Sequence, residues 1–221
     1  MFMRSLVAVA LFLGIVAVPL VGHSEILPKA VVRFTGQEIR DSQQSGLIVY
    51  QAKGIPFIAV GSAYHDYTLL LPYSDAWELE SGTEVPLFAR DKRYIASVMI
   101  GASPITTPLA YYDNFLDNMK KSGEYETRSV EIIKAPNTGK PLLRYQTRKA
   151  GLSKEAQDMN RWVWNYWVAV PYGSLWYALH LSVADDDEET FRREERKVTF
   201  ALDSLSPGML KRKPADISRE K

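Results

Sequence analysis

The sequence predicts an α+β fold in which an antiparallel β-sheet is covered by amphipathic helices. Residues 161–183 alternate apolar side chains with others on both sides of a Pro-Tyr-Gly-Ser turn, as a β-hairpin does. Shorter β-branched or aromatic runs, separated by turn residues, precede this hairpin and supply further strands. Two segments with apolar residues at helical spacing, one at 107–122 and one after residue 184, supply the covering helices.

The hairpin sorts its side chains onto two faces. With Tyr172 and Gly173 at the tip, Val170 is expected to face Leu175. One face is entirely apolar and is predicted to be core, since each large side chain contributes about 1.5–3 kcal/mol when it leaves water. It comprises Trp162, Trp164, Tyr166, Val168, Val170, Leu175, Tyr177, Leu179, Leu181 and Val183. The opposite face is mixed and comprises Val163, Asn165, Trp167, Ala169, Trp176, Ala178, His180 and Ser182.

Residues 1–24 have the pattern of an export signal peptide. Arg4 gives a positive start, the run 6–22 is apolar or small apart from Pro19, and Ser24 provides a small residue at the expected cleavage site. The alternative is an uncleaved membrane anchor, because the run approaches the roughly 17–25 residues that cross a bilayer. A periplasmic or secreted location is expected either way.

The next part of the chain is predicted to be rich in strands. Residues 25–45 are a lead-in with a short strand at 30–34, and a single domain is expected over 46–206. Pro56 indicates an edge strand, and the turn after Pro72 is expected to place Trp77 on the core. The strands are predicted at 46–54, 55–61, 67–71, 85–90 and 94–100.

A helix is predicted to begin after Thr107. This residue is a good N-cap, and Pro108 fits the first helical position, where its missing N–H costs nothing. Gly123 can take the left-handed conformation that ends a helix. The predicted packing stripe comprises Leu109, Tyr112, Phe115, Leu116 and Met119.

Two strands, at 125–134 and 142–149, are predicted before the hairpin, and a second helix after it. The acidic run 185–189 suits the positive start of that helix better than a calcium loop, because it lacks the alternation and the Gly of such loops. The packing stripe of this helix comprises Phe191, Val198, Ala201, Leu202 and Leu205. The helix is expected to end near Pro207, and residues 207–221 are expected to form a disordered polar tail.

Composition excludes several classes of chemistry. The chain has no cysteine, which removes thiol nucleophiles, thiolate metal sites and disulfides. Outside the leader only His65 and His180 remain, so a histidine-rich metal site is not expected. Loss of Arg4 with the leader leaves 26 basic and 26 acidic residues. The remaining chain therefore has no net positive charge that would attract nucleic acid. No catalytic residue, metal or cofactor is predicted.

The order of elements resembles a known superfamily. The resemblance rests on the strand 69–72 followed by Trp77, the helix 107–122, the strand pairs within 125–183 and the acidic start of the last helix. Over residues 67–205 this pattern is similar to the PsbP/DcrB-like superfamily. The resemblance implies an α/β/α sandwich, export in bacteria and a non-catalytic accessory or binding role in an envelope or membrane-associated complex. It transfers no catalytic residue.

Three functions follow as hypotheses. The first is an exported, non-catalytic accessory protein of the bacterial periplasm or envelope that binds another envelope protein. The second is a small-molecule or lipid-binding module that uses Asn165, Trp167, Trp176 and His180, since indoles stack on apolar ligands and the polar pair orients them. Its alternative is that these residues only pack, with Asn165 and His180 hydrogen-bonded across the strands. The third is a hydrolase, for which His65 and His180 are the imidazole candidates.

Overall fold

A computed structural model describes residues 30–33, 47–50, 54–74, 77–82, 85–152, 161–183 and 188–210. This part of the chain contains two helices, α1 (Pro108–Ser122) and α2 (Glu188–Asp203), and two antiparallel sheets. The predicted α+β class is therefore confirmed. The leader at 1–24, the acidic residues 184–187 and the polar tail from 211 lie outside the described residues.

The large sheet has eight strands in the order β1-β5-β6-β7-β11-β10-β9-β8. The first four in chain order are β1 (Ala30–Arg33), β5 (Glu78–Ser81), β6 (Leu87–Arg90) and β7 (Tyr94–Ala102). The others are β8 (Tyr125–Lys134), β9 (Pro141–Lys149), β10 (Val163–Tyr172) and β11 (Leu175–Val183). The strand expected at 30–34 is thus found as β1, where it pairs with β5 at the sheet edge.

A small sheet has the order β12-β4-β3-β2. Its strands are β2 (Leu47–Tyr50), β3 (Phe57–Ser62), β4 (Tyr67–Pro72) and β12 (Ser206–Pro207). The small sheet and α2 lie side by side over one face of the large sheet, while α1 covers the other face. The expected α/β/α sandwich is therefore present, with the small sheet as an addition to the α2 layer.

The hairpin β10–β11 has a register two residues away from the predicted one. Val170 pairs with Tyr177, and Leu175 pairs with Tyr172, so the turn consists of Gly173 and the residue after it. Gly173 has a φ of 61°, a left-handed conformation that glycine adopts readily and that suits a two-residue hairpin turn. Because side chains alternate with a period of two, a shift of two residues leaves every side chain on its predicted face.

Two apolar clusters lie on the two faces of the large sheet. The cluster under α2 and the small sheet includes Trp77, which is fully buried as predicted and donates its indole N–H to the Pro72 carbonyl at 2.9 Å. The prediction for Trp162 was wrong, because its ring lies between the guanidinium groups of Arg128 and Arg148, at 4.1 and 4.8 Å, rather than in the core. It lies just before the first residue of β10 and is only partly buried.

Helix α1 has the predicted caps. The Thr107 hydroxyl accepts a hydrogen bond from the Ala110 N–H at 3.3 Å, and Gly123 has a φ of 65°. The packing stripe is rotated slightly from the prediction: Leu109 is exposed, whereas Tyr111 is buried. The reason is that the stripe faces Trp176, against which the Tyr111 ring stacks. Neither helix in the described part of the chain is long and apolar enough to cross a bilayer.

Asp203, the last residue of α2, holds the turn between β8 and β9. Its carboxylate accepts hydrogen bonds from the backbone N–H groups of Asn137 at 2.9 Å and Thr138 at 3.2 Å, and from the Thr138 hydroxyl. The predicted packing stripe of α2 is confirmed, since all five of its members are buried. The C-terminal end of this helix is therefore fixed to a turn far away in sequence.

The ordered chain continues past the predicted start of the tail. Helix α2 ends at Asp203, and β12 then pairs with β4. The Gly208 N–H donates to the Asp66 carbonyl at 2.7 Å, and the Leu210 N–H donates to the Asp66 carboxylate at 3.1 Å. Gly208 has a φ of 76°, and a Cβ there would lie 2.2 Å from atoms of the Tyr172 ring. A glycine at this position is what lets residues 207–210 dock.

We expect Gly208→Ala to lower the free energy of unfolding by about 2–3 kcal/mol, because it adds left-handed backbone strain and forces the half-exposed Tyr172 ring to move. The matched control is Gly139→Ala, which has a φ of 70° but no atom within 4 Å of its Cβ. The Gly139→Ala variant should lower the free energy of unfolding only through left-handed backbone strain, by about 1–2 kcal/mol. Urea unfolding of both variants measures this, and equal losses would contradict the docking role of Gly208.

Candidate functional site

The structure brings the four predicted binding residues together on the α1 side of the hairpin. In the register of β10 and β11, Trp167 lies opposite His180 and Asn165 lies opposite Ser182. Trp176, near the start of β11, lies on the same face. Asn165 and both indoles are buried, and α1 covers the indoles. This face is therefore an internal surface between the sheet and the helix.

Both tryptophans are fully engaged by the protein. The Trp167 ring packs on Phe115 of α1 with centroids 4.6 Å apart and stacks on His180 at 4.7 Å. Its indole N–H donates to the Tyr145 hydroxyl at 2.8 Å. Trp176 stacks on Tyr111 of α1 at 5.1 Å and donates its N–H to a backbone carbonyl, that of Ile105, at 2.8 Å. Neither indole N–H is left to orient a ligand.

The polar residues of this face form one hydrogen-bonded group. The Asn165 side-chain oxygen lies 3.0 Å from His180 Nε2 and accepts from the Ser182 hydroxyl at 2.9 Å. Its amide group donates to the Thr147 hydroxyl and to the Val163 carbonyl, both at 2.9 Å. Burial lowers the pKa of His180 to about 4. The imidazole is therefore neutral at pH 7, and the cross-strand bond expected from the packing interpretation is present.

These contacts favour packing at the face formed by Asn165, Trp167, Trp176 and His180. A ligand stacking on either indole would have to displace α1, so a binding role for these four residues stays a prediction. His65, the other imidazole candidate, lies in the turn between β3 and β4, in the α2 layer, where its Nε2 lies 3.0 Å from the Gly82 carbonyl. The two histidines thus lie in different layers.

Two acidic residues of α2 that face the large sheet were not predicted as interaction sites. Glu194 is buried, where it accepts a hydrogen bond from the Tyr94 hydroxyl and pairs with Lys197 at 2.8 Å. Glu195 pairs with Arg144 of β9. These acids were missed because they lie beside the apolar stripe, and the pattern of α2 alone does not show which strands they face. Apart from Lys197, which lies one turn along α2, the partners named here come from strands that are distant in sequence.

The solvent side of α2 is strongly basic. Arg192, Arg193 and Arg196 are exposed there, and two open clefts lie between them and their neighbours. The first cleft, of about 430 Å³, is lined by Arg93, Arg193, Glu194, Arg196 and Lys197. The second, of about 360 Å³, is lined by Glu189, Arg192, Arg193, Glu195 and Arg196. Arg193 and Arg196 are shared by both clefts.

Next to α2, the small sheet presents an apolar outer face. Ile48 and Tyr50 point away from the core and are 50% and 58% exposed. Phe57 lies on the same side of β3, and its ring contacts Phe200 of α2 with centroids 4.8 Å apart. Leu210 lies over Gly61 on this face. We call the basic side of α2 and this apolar face together the outer surface.

The outer surface is of mixed apolar and basic character. It combines exposed apolar side chains with arginines, which is a common composition for interfaces with other proteins. Within the described ranges, no three His, Asp or Glu side chains are arranged to hold a metal ion. Sequence reasoning missed this surface because β3 and α2, which are far apart in sequence, meet only through the tertiary contact between Phe57 and Phe200.

No family model matches the chain, and no curated protein matches it in sequence. The structure is similar to the solution structure of cyanobacterial PsbP (CyanoP) from Synechocystis sp. PCC 6803, with a TM-score of 0.44 and 15% sequence identity. The match covers 72% of this chain and 96% of that chain. The resemblance predicted from the sequence is thus found as a likeness of fold pattern, without a match in sequence.

We expect stability to fall between pH 6.5 and pH 4 because of His180. Its folded pKa of about 4 lies below the ordinary 6.5, so the unfolded chain binds a proton first as the pH drops. The contribution is fully present above pH 6.5, and its loss amounts to at most about 3 kcal/mol at pH 4. Urea unfolding of the wild type and of His180→Gln across this range measures it. The His180→Gln curve should be flatter, and two parallel curves would contradict the assignment.

Proposed function

We propose that the protein is an exported, non-catalytic accessory or binding protein of the bacterial envelope and that it acts through contact with another protein. The single observation that carries the proposal is the outer surface, where Ile48 and Tyr50 are half or more exposed beside the contact between Phe57 and Phe200. A contiguous exposed apolar area rimmed by polar residues is typical of a protein interaction site.

The position of Ile48 and Tyr50 favours a protein partner. Both belong to β2, which is the last strand of the small sheet among the residues that the structure describes. An edge strand can add a strand from another chain through backbone hydrogen bonds, while the outward side chains of β2 supply apolar contacts. A partner that used both would gain affinity from the backbone and specificity from the side chains.

The state of the two histidines supports a non-catalytic role. His180 is neutral and hydrogen-bonded to Asn165 beneath Trp167, and His65 contacts a backbone carbonyl. General base catalysis needs an imidazole within reach of a substrate proton. Export is supported by the sequence alone, through the apolar run at 6–22 that follows Arg4.

We expect a photoreactive benzoylphenylalanine placed at Tyr50 to crosslink to one discrete protein in intact cells. The matched control carries the same group at Ile132, which is 49% exposed on β8 at the far edge of the large sheet. The crosslink should be absent at Ile132 and should be lost from Tyr50 when Ile48→Asp is added.

The crosslinked protein is then identified by mass spectrometry and purified, and its affinity for this protein is measured. Ile48→Asp should weaken that binding at least tenfold. The proposal fails if Tyr50 gives no discrete product, if Ile132 gives the same product, or if the purified protein binds Ile48→Asp as well as it binds the wild type. Cell fractionation in the same experiment should recover the protein with the envelope, and recovery in the cytoplasm would contradict export.

A further inference from the structure

The charges of α2 are divided between its two sides. Glu194 and Glu195 turn toward the large sheet, whereas Arg192, Arg193 and Arg196 are exposed on the solvent side. In an ordinary surface helix, acids and bases are interspersed on the exposed face and neutralise one another. Here Glu194 and Glu195 are withdrawn from that face, whereas Glu189 stays exposed on it, so among the described side chains three arginines share the face with one glutamate.

The withdrawn acids already have partners within the protein. Glu194 accepts from the Tyr94 hydroxyl and pairs with Lys197, and Glu195 pairs with Arg144 and accepts from the Tyr166 hydroxyl at 3.2 Å. Their lone pairs are engaged at the sheet, and Arg193 and Arg196 do not share them. Among the residues that the structure describes, the guanidinium groups of Arg193 and Arg196 make no ion pair or hydrogen bond.

The basic side of α2 runs directly into the apolar face of the small sheet. Arg193, Arg196 and Phe200 are spaced three and four residues apart, so they lie along one side of the helix. At 1.5 Å per residue, Arg193 and Phe200 are about 10 Å apart along the helix axis. Phe200 then contacts Phe57 of β3. A single bound segment can therefore touch arginines at one end and apolar side chains at the other.

The shape of the basic side distinguishes between anionic partners. Arg193 and Arg196 line two shallow, open clefts, of which the first also contains Glu194 and the second Glu189 and Glu195. A carboxylate on a protruding side chain can enter such a cleft and bind a guanidinium group through two parallel hydrogen bonds. In contrast, a layer of anionic lipid headgroups binds best to a flat surface whose basic side chains spread outward.

We infer that the outer surface receives an acidic segment of a partner protein, with carboxylates at Arg193 and Arg196 and apolar side chains on Phe57, Phe200 and β2. The inference rests on the proposed function and adds the chemistry of the partner. Opposite charges steer the encounter and fix the register of the segment, while the apolar contacts hold it. The binding is sensitive to salt, because these arginines are exposed.

The inference is tested with two synthetic twelve-residue peptides that share the same Leu and Phe positions. One carries four Glu residues, and the other carries Gln at the same four positions. Binding is followed by fluorescence anisotropy and by amide shifts in NMR spectra. We expect the Glu peptide to bind at least tenfold more tightly than the Gln peptide at low salt. Its shifts should map to α2 and β2, and added salt should reduce the difference.

The decisive variant is Arg193→Glu with Arg196→Glu, which should weaken binding of the Glu peptide at least tenfold. The matched control is Lys120→Glu with Lys121→Glu, which changes the net charge equally at two exposed positions at the end of α1, and which should bind like the wild type. Circular dichroism confirms that both variants are folded.

Several outcomes would overturn the inference. They are absence of binding by the Glu peptide at millimolar concentration, equal binding of the two peptides, and equal binding by the wild type and the Arg193→Glu, Arg196→Glu variant. Arginine-dependent binding to vesicles with 30% phosphatidylglycerol in phosphatidylcholine, without peptide binding, would identify a membrane surface as the occupant. Dimerisation of the free protein that is lost in the same variant would identify a second copy.

The two proposals fail separately. If the protein crosslinked at Tyr50 binds the Arg193→Glu, Arg196→Glu variant as tightly as the wild type, the acidic character of the partner is refuted and the accessory role stands. If Tyr50 yields no partner at all, the accessory role itself fails.

Discussion

The fold depends on one constraint, which is that the hairpin β10–β11 carries large apolar side chains on both of its faces. Tyr166, Leu179 and Leu181 point to one side, while Trp167 and Trp176 point to the other. A sheet with two such faces is stable in water only if both are covered. Helix α1 covers one side, and α2 and the small sheet share the other. The three layers follow from this requirement.

The hairpin also shows which parts of the fold can be predicted from sequence. The face of each side chain depends only on its parity along the strand, so it was predicted correctly although the register was two residues off. The helix α1 was predicted with its caps because Thr107 and Gly123 act locally. In contrast, the burial of Tyr111 in place of Leu109 depends on where Trp176 lies, and no local pattern contains that distance.

The same distinction applies to the candidate sites. The four residues on the α1 side of the hairpin were predicted to be neighbours, because cross-strand pairing within a hairpin is local. Whether they are open or covered depended on the docking of α1, which the sequence left undecided. The outer surface joins β2 to α2, which are separated by more than a hundred residues of chain. Charge excess on α2 was visible only after Glu194 and Glu195 were seen to face the sheet.

The hydrogen bonds from the β8–β9 turn to Asp203 bear on the order in which parts of the fold form during synthesis. All eight strands of the large sheet are synthesised before α2, yet the turn and one face of that sheet are completed only by α2. While residues 188–203 are still being translated, the face of the large sheet that α2 later covers remains apolar and exposed. The large sheet is therefore completed only after the last helix has been released.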